Sequence, residues 1–383
     1  MPSGPGDVFE LIRHGRARTR GDLLGLTGLS RMTVAQRVDV LLAAGLIREA
    51  GSERASGGRR PARLELDVTH SVVISATVDT THSRTALTDL SGRILADRQL
   101  DVAVEDGPEA VLSGIAGAAR DLLDGQGLPA ARVSGFGISV PGPVDPATLR
   151  PSQPPIMPGW DAYPVAEHLH DGFGVPVLVE NDANAMALGE YSSGYLDCRA
   201  LCLVKVSTGI GTGIVIDGRV YQGIDGGAGD IGHVRLSGHD DAVCQCGARG
   251  CLAAVASGRA VAQALTAEGI PAASGRDVRA LLSRGDVAAT RRTQEAGRVI
   301  GGVMATVVCL VNPGVLLVGG ALASSALISG VRETLYPRSL PRATRHLEVR
   351  LASLGEDAGI VGMTRMVVDQ VFAPRAVDAM LGA

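Results

Sequence analysis

From residue 69 onward, apolar strands alternate with helices, and this alternation restricts the possible folds more than any other feature of the chain. "SVVISATVD" and "RVSGFGISV" have the composition of buried strands, and both run into short loops of glycine, proline or polar residues. A helical segment, "GPEAVLSGIAGAARDLLDG", lies between them. The pattern predicts an α/β fold whose ligand-binding loops lie at strand ends.

The bulk properties favour a folded cytoplasmic protein of several domains. The 383 residues suffice for two or three domains of ordinary size. There is no run of eighteen apolar residues and no secretory pattern at the N-terminus, so we expect no membrane association. In a reducing compartment, clustered cysteines are metal ligands or redox groups more often than disulfides.

A formal net charge of −4 conceals a basic N-terminal segment. Residues 11–63 contain eleven arginines and four carboxylates, a net charge of +7, so the rest of the chain carries −11. This asymmetry is typical of a nucleic-acid-binding module joined to a sensor or an enzyme. A solvated arginine-rich face would give the same count, so charge alone leaves both interpretations open.

The spacing of apolar residues in this segment predicts three short helices, at residues 8–15, 21–28 and 29–45. Gly28 falls in the turn before the third helix, and Ser30 is its expected N-cap. The residues expected to bury one face are Leu23, Leu29, Val34, Val38, Leu41 and Leu42. The pattern predicts a helix-turn-helix whose third helix enters the major groove of double-stranded DNA. The candidate DNA-contacting residues at its start and on its outer face are Ser30, Arg31, Met32, Thr33, Gln36 and Arg37.

After the third helix, two short strands at residues 46–49 and 62–66 predict a wing. Its polar tip ends in "GGRRP". Arg59 and Arg60, flanked by glycine and proline in an extended chain, are candidates to enter a narrow minor groove. A plain flexible linker is the alternative for these residues.

Two loops of the α/β region are candidates for binding chemistry. "STGIGTG", residues 207–213, offers backbone N–H groups that would suit a phosphate, although a hairpin turn explains it equally well. "ENDANA", residues 180–185, places Asn181 and Asp182 at the end of an apolar strand. A carboxylate there could accept hydrogen bonds from a sugar hydroxyl or deprotonate it. The alternative is that Asp182 only caps a helix that begins at Ala183.

The spacing Cys244-x-Cys246-x4-Cys251, with His233 upstream, predicts a metal site. Three thiolates and one imidazole complete a closed tetrahedral set for structural zinc. Gly247 and Gly250 would let the chain turn tightly around the ion. A redox pair is the alternative, but C-x-C is cramped for an unstrained disulfide. The remaining cysteines, expected to be small core residues, are Cys198, Cys202 and Cys309.

Four motifs resemble, in order and spacing, those of the ROK family, which groups sugar-responsive repressors and sugar kinases. They are "ENDANAMALGE", "STGIGTG", "GDIGH" followed by "CQCGARGCLAAVASG", and "NPGVLLVGG". The N-terminal "TGLSRMTVAQRVDVLLAAGLI" and "GGRRP" resemble the repressor branch, whose kinase relatives lack this segment. The resemblance implies a two-lobed actin-like sugar-kinase fold of the ribonuclease H type, a structural zinc, and a homodimer or a pair of dimers.

The resemblance also implies a sugar pocket that is altered here. The positions that contact the ligand in the family correspond to Asn181, Asp182, Asp230 and His233. Asp230 replaces a glutamate, Ala253 replaces a second glutamate, and Ile156 replaces the usual asparagine before "PGW". A buried hydroxyl without its partner costs about 1 to 3 kcal/mol, so we expect an effector that differs from a simple hexose.

The first phosphate loop departs from the family pattern as well. ROK kinases have D-x-G-G-T at this place, whereas this chain has "DTTHS", so Thr81 and His82 replace two glycines. Their side chains would stand where phosphates need bare backbone, and we therefore expect no kinase activity.

We expect a winged helix-turn-helix at residues 1–68, a first lobe at 69–188 completed by a C-terminal helix at 358–383, and a second lobe with the zinc site at 189–357. The predicted function is a repressor of carbohydrate uptake or metabolism genes that binds a DNA operator and a small carbohydrate effector. Two alternatives remain: an active ATP-dependent sugar kinase with a DNA-binding domain, and a ligand-free regulator controlled by a protein partner.

Overall fold

The structure, a computed structural model, describes residues 4–51 and 62–382. The strands within these residues are β1 Ile47–Ala50, β2 Arg63–Leu66, β3 Val72–Val78, β4 Ser83–Asp89, β5 Ile94–Leu100, β6 Val133–Val140, β7 Val144–Asp145, β8 Arg150–Pro151, β9 Val177–Asn181, β10 Ala200–Val206, β11 Ile210–Ile216, β12 Arg219–Val220, β13 Val315–Gly319 and β14 Glu348–Leu351. The helices are α1 Pro5–Arg13, α2 Arg20–Thr27, α3 Arg31–Ala43, α4 Pro108–Gly125, α5 Val165–Phe173, α6 Asp182–Gly194, α7 Leu252–Ala256, α8 Gly258–Ala267, α9 Gly275–Ser283, α10 Val287–Val311, α11 Ser325–Arg338, α12 Pro341–Thr344, α13 Ala358–Val371 and α14 Pro374–Leu381.

The three predicted N-terminal helices are present, and local signals explain where they begin and end. Ser30 caps α3 by accepting a hydrogen bond from the N–H of Thr33. Gly28 ends α2 with φ at 69°, a left-handed conformation that glycine adopts at little cost. β1 and β2 follow as an antiparallel pair with Ile47 opposite Leu66, within a residue or so of the predicted bounds.

The rest of the described chain contains two five-stranded sheets with the same arrangement. In the first sheet, with the order β5-β4-β3-β6-β9, the central β3 pairs antiparallel with β4 and parallel with β6. In the second sheet, with the order β12-β11-β10-β13-β14, the central β10 pairs antiparallel with β11 and parallel with β13. The repeated arrangement confirms the predicted two-lobed α/β fold.

Two helices, α6 and α13, pack against each other and connect the sheets. α6 contacts β10 and β11 of the second sheet, and α13 contacts β3 and β6 of the first. The two helices approach so closely that a Cβ on Gly362 would overlap the carbonyl oxygen of Ala185. The C-terminal segment, predicted as one helix at 358–383, is two helices, because Pro374 cannot continue α13 and instead occupies the first turn of α14.

The N-terminal helices share a core with the C-terminal helices. Phe9 of α1 lies against Phe372, with ring centroids 6.0 Å apart, and both side chains are buried. Arg13 forms an ion pair with Asp369 at 2.6 Å. The N–H of Gly6 donates to a carboxylate oxygen of α14 at 2.8 Å. The N-terminal elements are thus fixed to the body through α13 and α14.

In the described part of the chain, α10 is the one helix long and apolar enough, by length and composition alone, to cross a membrane. One of its faces, including Ile300 and Met304, packs into the core of the second sheet. Cys309 lies on its exposed side, so the prediction of a core residue was wrong there, because only one face of this helix meets the core. Cys202 is buried as predicted, and Cys198 is half-buried.

Candidate ligand pocket and metal centre

A pocket opens where the loops after several strands meet between the two sheets. The lining includes residues that follow β3, β6, β9 and β10, together with the loop before α7. The predicted residues Asn181, Asp182, Asp230 and His233 all line it. The carboxyl ends of parallel strands thus bring together residues that are far apart in the sequence.

At the base of the pocket, Lys205 forms an ion pair with Asp182. Their side chains are only 13% and 14% exposed. Burial opposes the charge of Lys205, but Asp182 and Asp79 outweigh this effect and raise the pKa of the lysine. Burial raises the pKa of Asp182 and Lys205 lowers it only in part, whereas the lysine and Thr80 hold the pKa of Asp79 below its usual value despite burial.

Asn181, not Asp182, caps the helix that follows. Its Oδ1 accepts hydrogen bonds from the N–H groups of Ala183 and Asn184 at 2.9 and 3.2 Å, and its Nδ2 donates to the carbonyl of Gly142 at 3.1 Å. The alternative in which Asp182 is only a cap is therefore wrong, because α6 already begins at Asp182. The bond to Gly142 uses one of the two Nδ2 hydrogens of Asn181, so the other can donate to a ligand.

Glu180 supports this loop from below. It is buried, and its carboxylate accepts hydrogen bonds from the Asn181 N–H, from Asn184 and from Gln222 at 2.6 to 3.0 Å. Burial raises its pKa even though these bonds act in the opposite direction. Glu180 thus fixes the backbone that carries Asn181 and Asp182.

The pocket is less polar at two positions than the family pattern. Ile156 and Ala253 both line it, so the two replacements noted in the sequence present apolar surface to a ligand. Asp230 lies 3.9 Å from Nε2 of His233. Desolvation raises the pKa of Asp230, although His233 opposes the shift.

The three clustered cysteines and His233 form a group suited to a metal ion. Their ligand atoms all lie within 4.8 Å of one another. Nδ1 of His233 is 3.7 Å from Sγ of Cys244, and Sγ of Cys246 is 3.8 Å from Sγ of Cys251. A tetrahedron with metal–sulfur bonds of about 2.3 Å has edges of about 3.8 Å, so the donor set fits a four-coordinate ion.

Sγ of Cys246 and Sγ of Cys251 are too far apart for a disulfide bond of about 2.05 Å, and the cysteines are free thiols in the structure. A reduced redox pair has the same spacing, so the redox alternative stays open. Desolvation raises the pKa of the Cys246 thiol, but hydrogen bonds from Ala248 and the other thiols outweigh it and lower the pKa to about 7. His233 contacts both the cysteine cluster and the pocket, since its Nδ1 faces the cysteines and its Nε2 faces Asp230.

The glycine-rich "STGIGTG" segment forms the hairpin turn between β10 and β11, with Val206 opposite Ile210. The hairpin alternative is therefore correct. Residues 207–212 also line the pocket, and phosphate binding by this turn stays a prediction. Thr208 in this turn bonds across the cleft to the hydroxyl of Thr80, at 2.8 Å.

A second cavity continues from the pocket toward the end of β13 and shares Asp79, Asp182 and Lys205 with it. His82 contacts Nη2 of Arg276 here, with both ring nitrogens within 3.0 Å. Since His82 follows β3 and Arg276 belongs to α9, this contact joins the two halves of the cleft. Thr81 is exposed at the same turn.

The candidate DNA-contacting residues lie at the start and along one side of α3. Ser30, Arg31, Met32 and Gln36 are exposed. Thr33 and Arg37 are half-buried. Nη1 of Arg37 is fully buried, so this side chain does not point wholly outward as predicted. Arg59 and Arg60 lie outside the described residues.

A model of the ROK family matches residues 73–370. The chain belongs to the ROK family. This ROK protein is similar to the xylose repressor of Bacillus spizizenii, with 27% identity over 354 residues that cover 92% of this chain and 91% of the repressor. It is also similar to the solved structure of a ROK family transcriptional regulator, a homologue of the E. coli MLC protein, with a TM-score of 0.82, 27% identity and 98% of both chains covered.

A ROK family glucokinase from Streptomyces griseus, solved with glucose and AMPPNP, has a TM-score of 0.68 and 27% identity to this chain. The match covers 99% of the glucokinase but only 77% of this ROK protein. The regulator therefore matches nearly the whole chain, and the kinase matches about three-quarters of it.

Sequence reasoning missed Lys205 and Asp79. The available signal was that Lys205 is the only lysine in the chain, in an otherwise apolar strand immediately before the glycine-rich turn. Glu180 and Arg276 were missed because nothing local distinguishes a buried carboxylate or a bridging arginine from its neighbours.

Proposed function

We propose that this ROK protein is a cytoplasmic transcriptional repressor of carbohydrate genes whose affinity for DNA is controlled by a sugar or sugar-derived effector. The observation that carries the proposal is the extent of its likeness to regulators: 92% of the chain matches a xylose repressor and 98% a ROK transcriptional regulator, against 77% for a ROK glucokinase. The proposed domains are residues 1–68, 69–188 completed by α13, and 189–357.

Residues 1–68 are the proposed winged helix-turn-helix, with α3 as the recognition helix and β1–β2 as the base of the wing. Arg31 and Gln36 are exposed and carry the donors and acceptors that read base edges in the major groove. The positive charge of the segment favours the DNA backbone. Arg59 and Arg60 are proposed to reach a phosphate or the minor groove. A dimer would present two such helices to half-sites one or two helical turns apart.

The proposed effector pocket is formed by Asn181, Asp182, Asp230 and His233. Carboxylates and one free amide hydrogen suit the hydroxyl groups of a sugar, and Ile156 faces the ligand with apolar surface. The effector is therefore proposed to lack a hydroxyl, or to carry an apolar substituent, on the side that Ile156 and Ala253 face. Asp182 would have to share its bonds with Lys205.

The same pocket is proposed to be inactive as a kinase site. Asp182, the candidate general base, is already paired with a buried lysine, so a substrate hydroxyl would have to compete with Nζ of Lys205 for its carboxylate. The side chain of His82 and its contact with Arg276 occupy the turn where the family's phosphate loop has glycine. Retention of Asp182 and "STGIGTG" favours the second candidate, an active sugar kinase.

We propose that His233, Cys244, Cys246 and Cys251 hold a structural zinc ion. With four protein ligands, bound zinc supplies no open position for catalysis and acts as a crosslink. The four residues tie the segment before Val234 to the start of α7, which begins just after Cys251. This keeps Nε2 of His233 and the carboxylate of Asp230 beside the pocket.

A continuous set of packed elements connects the pocket with the N-terminal module. Asp182 begins α6, α6 packs on α13, and α13 carries Asp369, which pairs with Arg13 at the end of α1. A ligand that moves the start of α6 would act on the module through these rigid helices, provided that two arrangements of them exist.

The test begins with selection of an operator from random duplex DNA by the full-length protein. Titrations with a panel of pentoses, hexoses and their derivatives should then identify a sugar that raises the melting temperature and weakens operator binding. Asp182→Asn should lose the sugar response, while Asp217→Asn, an exposed residue paired with Arg199, should retain it. Failure to select any DNA sequence, or ATP-dependent turnover of a sugar in a coupled assay, would overturn the proposal.

A further inference from the structure

A separate cavity, of about 380 Å³, lies between the N-terminal module and the α/β body. One wall comes from the end of α1 and from β1 and β2. The other comes from α13, the end of α6 and the turn after β4. Its volume lies in the range of about 300 to 1,000 Å³ that is usual for small-molecule sites. This junction cavity shares no residue with the effector pocket.

The junction cavity is cationic. The arginines that line it are Arg13, Arg18, Arg48, Arg63 and Arg365. Glu65 is the one carboxylate among the described lining residues, 3.2 Å from Arg63 and 3.8 Å from Arg48. Behind the wall, Asp369 binds Arg13 and Arg365 at 2.6 and 2.8 Å. The carboxylate of Asp22 accepts hydrogen bonds from the backbone N–H groups of Arg18 and Thr19, and that of Asp67 accepts hydrogen bonds from Thr69. The carboxylates paired with the five guanidinium groups are therefore Glu65 in the cavity and Asp369 behind its wall.

The deepest of these arginines has an unused donor. The side chain of Arg13 is 7% exposed, and its buried Nε has no hydrogen-bond acceptor among the described residues. A buried N–H without an acceptor is unfavourable, so such a group is normally satisfied by a ligand or by water. The pKa of neighbouring His14 is lowered by desolvation and by Arg13 and Arg365, which together outweigh Asp369. The local potential is therefore positive.

We propose that the junction cavity binds a small oxyanion of the phosphate-ester class and that the bound anion ties the N-terminal module to the body. Guanidinium groups bind phosphate oxygens through paired, charge-assisted hydrogen bonds, and arginines from both walls converge here. The phosphates of a DNA backbone carry the same chemistry, but a duplex cannot reach Arg13 or Arg365, which are 7% and 25% exposed.

Because the module and the body each supply part of the lining, the bound anion favours the arrangement in which they are in contact. If the module is the DNA reader, a consequence that rests on the proposed function, the anion changes operator affinity and the operator changes anion affinity by the same factor. Anion binding itself requires no DNA, so it is testable separately.

The experiment is isothermal titration calorimetry of inorganic phosphate into the full-length protein without DNA, at constant ionic strength maintained with chloride. We expect one phosphate per chain. The double variant Arg48→Gln with Arg63→Gln should weaken binding about 10-fold to 100-fold, since it removes two charged donors whose side chains are about half exposed and dispensable for folding. Arg13→Gln should act in the same direction, but it also breaks the contact with Asp369.

The matched control is Arg298→Gln, which removes an arginine of similar exposure on α10 that is paired with Glu333 of α11 and does not line the junction cavity. It should leave phosphate affinity unchanged. The proposal is overturned if the full-length protein shows no saturable heat with phosphate, or if the control loses affinity as much as the double variant. It is also overturned if the double variant weakens only DNA binding and lowers its salt dependence, because these arginines would then contact the DNA backbone.

Discussion

Replacement of Lys205 by methionine tests the central electrostatic feature of the pocket. Lys205 and Asp182 are 13% and 14% exposed, and Asp79 is a second carboxylate whose pKa the lysine lowers. Removal of one partner from a buried ion pair costs about 3 to 5 kcal/mol, because the remaining charge has neither water nor a counter-ion. We expect the free energy of unfolding at neutral pH to fall by that amount.

The loss of unfolding free energy in Lys205→Met should depend on pH. Burial already raises the pKa of Asp182, and loss of Lys205 would raise it further. A carboxyl group whose pKa is higher in the folded state binds its proton more tightly there. The variant therefore loses stability as the pH rises from about 4, the value for an unfolded aspartate, through the folded-state pKa. The difference from the parent protein is smallest in acid and largest near neutrality.

Urea unfolding at about pH 5 and about pH 7.5 measures this difference. Lys205→Met combined with Asp182→Asn should recover part of the stability, since position 182 then carries no charge and Asp79 is the carboxylate that still lacks the lysine. The matched control is Arg199→Met, which breaks the pair with Asp217; their side chains are 88% and 60% exposed, so the free energy of unfolding should change little. Equal losses for the two single variants, or a loss at Lys205 that does not change with pH, would refute the reasoning.

Three other predictions concern the metal, the DNA and catalysis. Cys251→Ala should release zinc and lower the melting temperature, whereas Cys309→Ala, on the exposed side of α10, should retain the zinc. Metal analysis of the purified proteins measures this, and zinc retained without Cys251 would contradict the site. Gln36→Ala should relax base preference by about 1 to 3 kcal/mol at one operator position, measured by gel shift across operator variants, and an equal loss on all sequences would argue against base contact. Incubation with ATP and common hexoses should give no sugar phosphate above background; turnover that Asp182→Asn abolishes would reverse this expectation.

The parts of the fold that could be predicted depend on interactions between residues close in the chain. The cap at Ser30 and the left-handed turn at Gly28 are set within one helical turn, and both occur where the sequence predicts them. The spacing of Cys244, Cys246 and Cys251 likewise brings the thiols together within a single loop. Each of these features needs no information from distant residues.

The errors occurred where a distant element decides the environment of a residue. The alternative in which Asp182 is only a helix cap was wrong, because Asn181 caps α6 and the structure pairs Asp182 with Lys205, 23 residues away on the second sheet. Cys309 lies in an apolar helix, but only one face of that helix meets the core. Arg37 has a half-buried side chain although its position on α3 predicts an outward one.

The sequence by itself determined the α/β class, the N-terminal helices, the cluster of His233 and three cysteines, and the family, because short-range periodicity, turn chemistry and ordered motifs carry them. Only the tertiary structure decided which charged and polar groups lie together: Lys205 with Asp182, His82 with Arg276, and the arginines of the N-terminal module with Arg365 of α13. Burial strengthens the pair of Lys205 and Asp182, since an ion pair is strong only where water is excluded. That exclusion arises when the elements of both sheets close around the same residues, which no local stretch of sequence specifies.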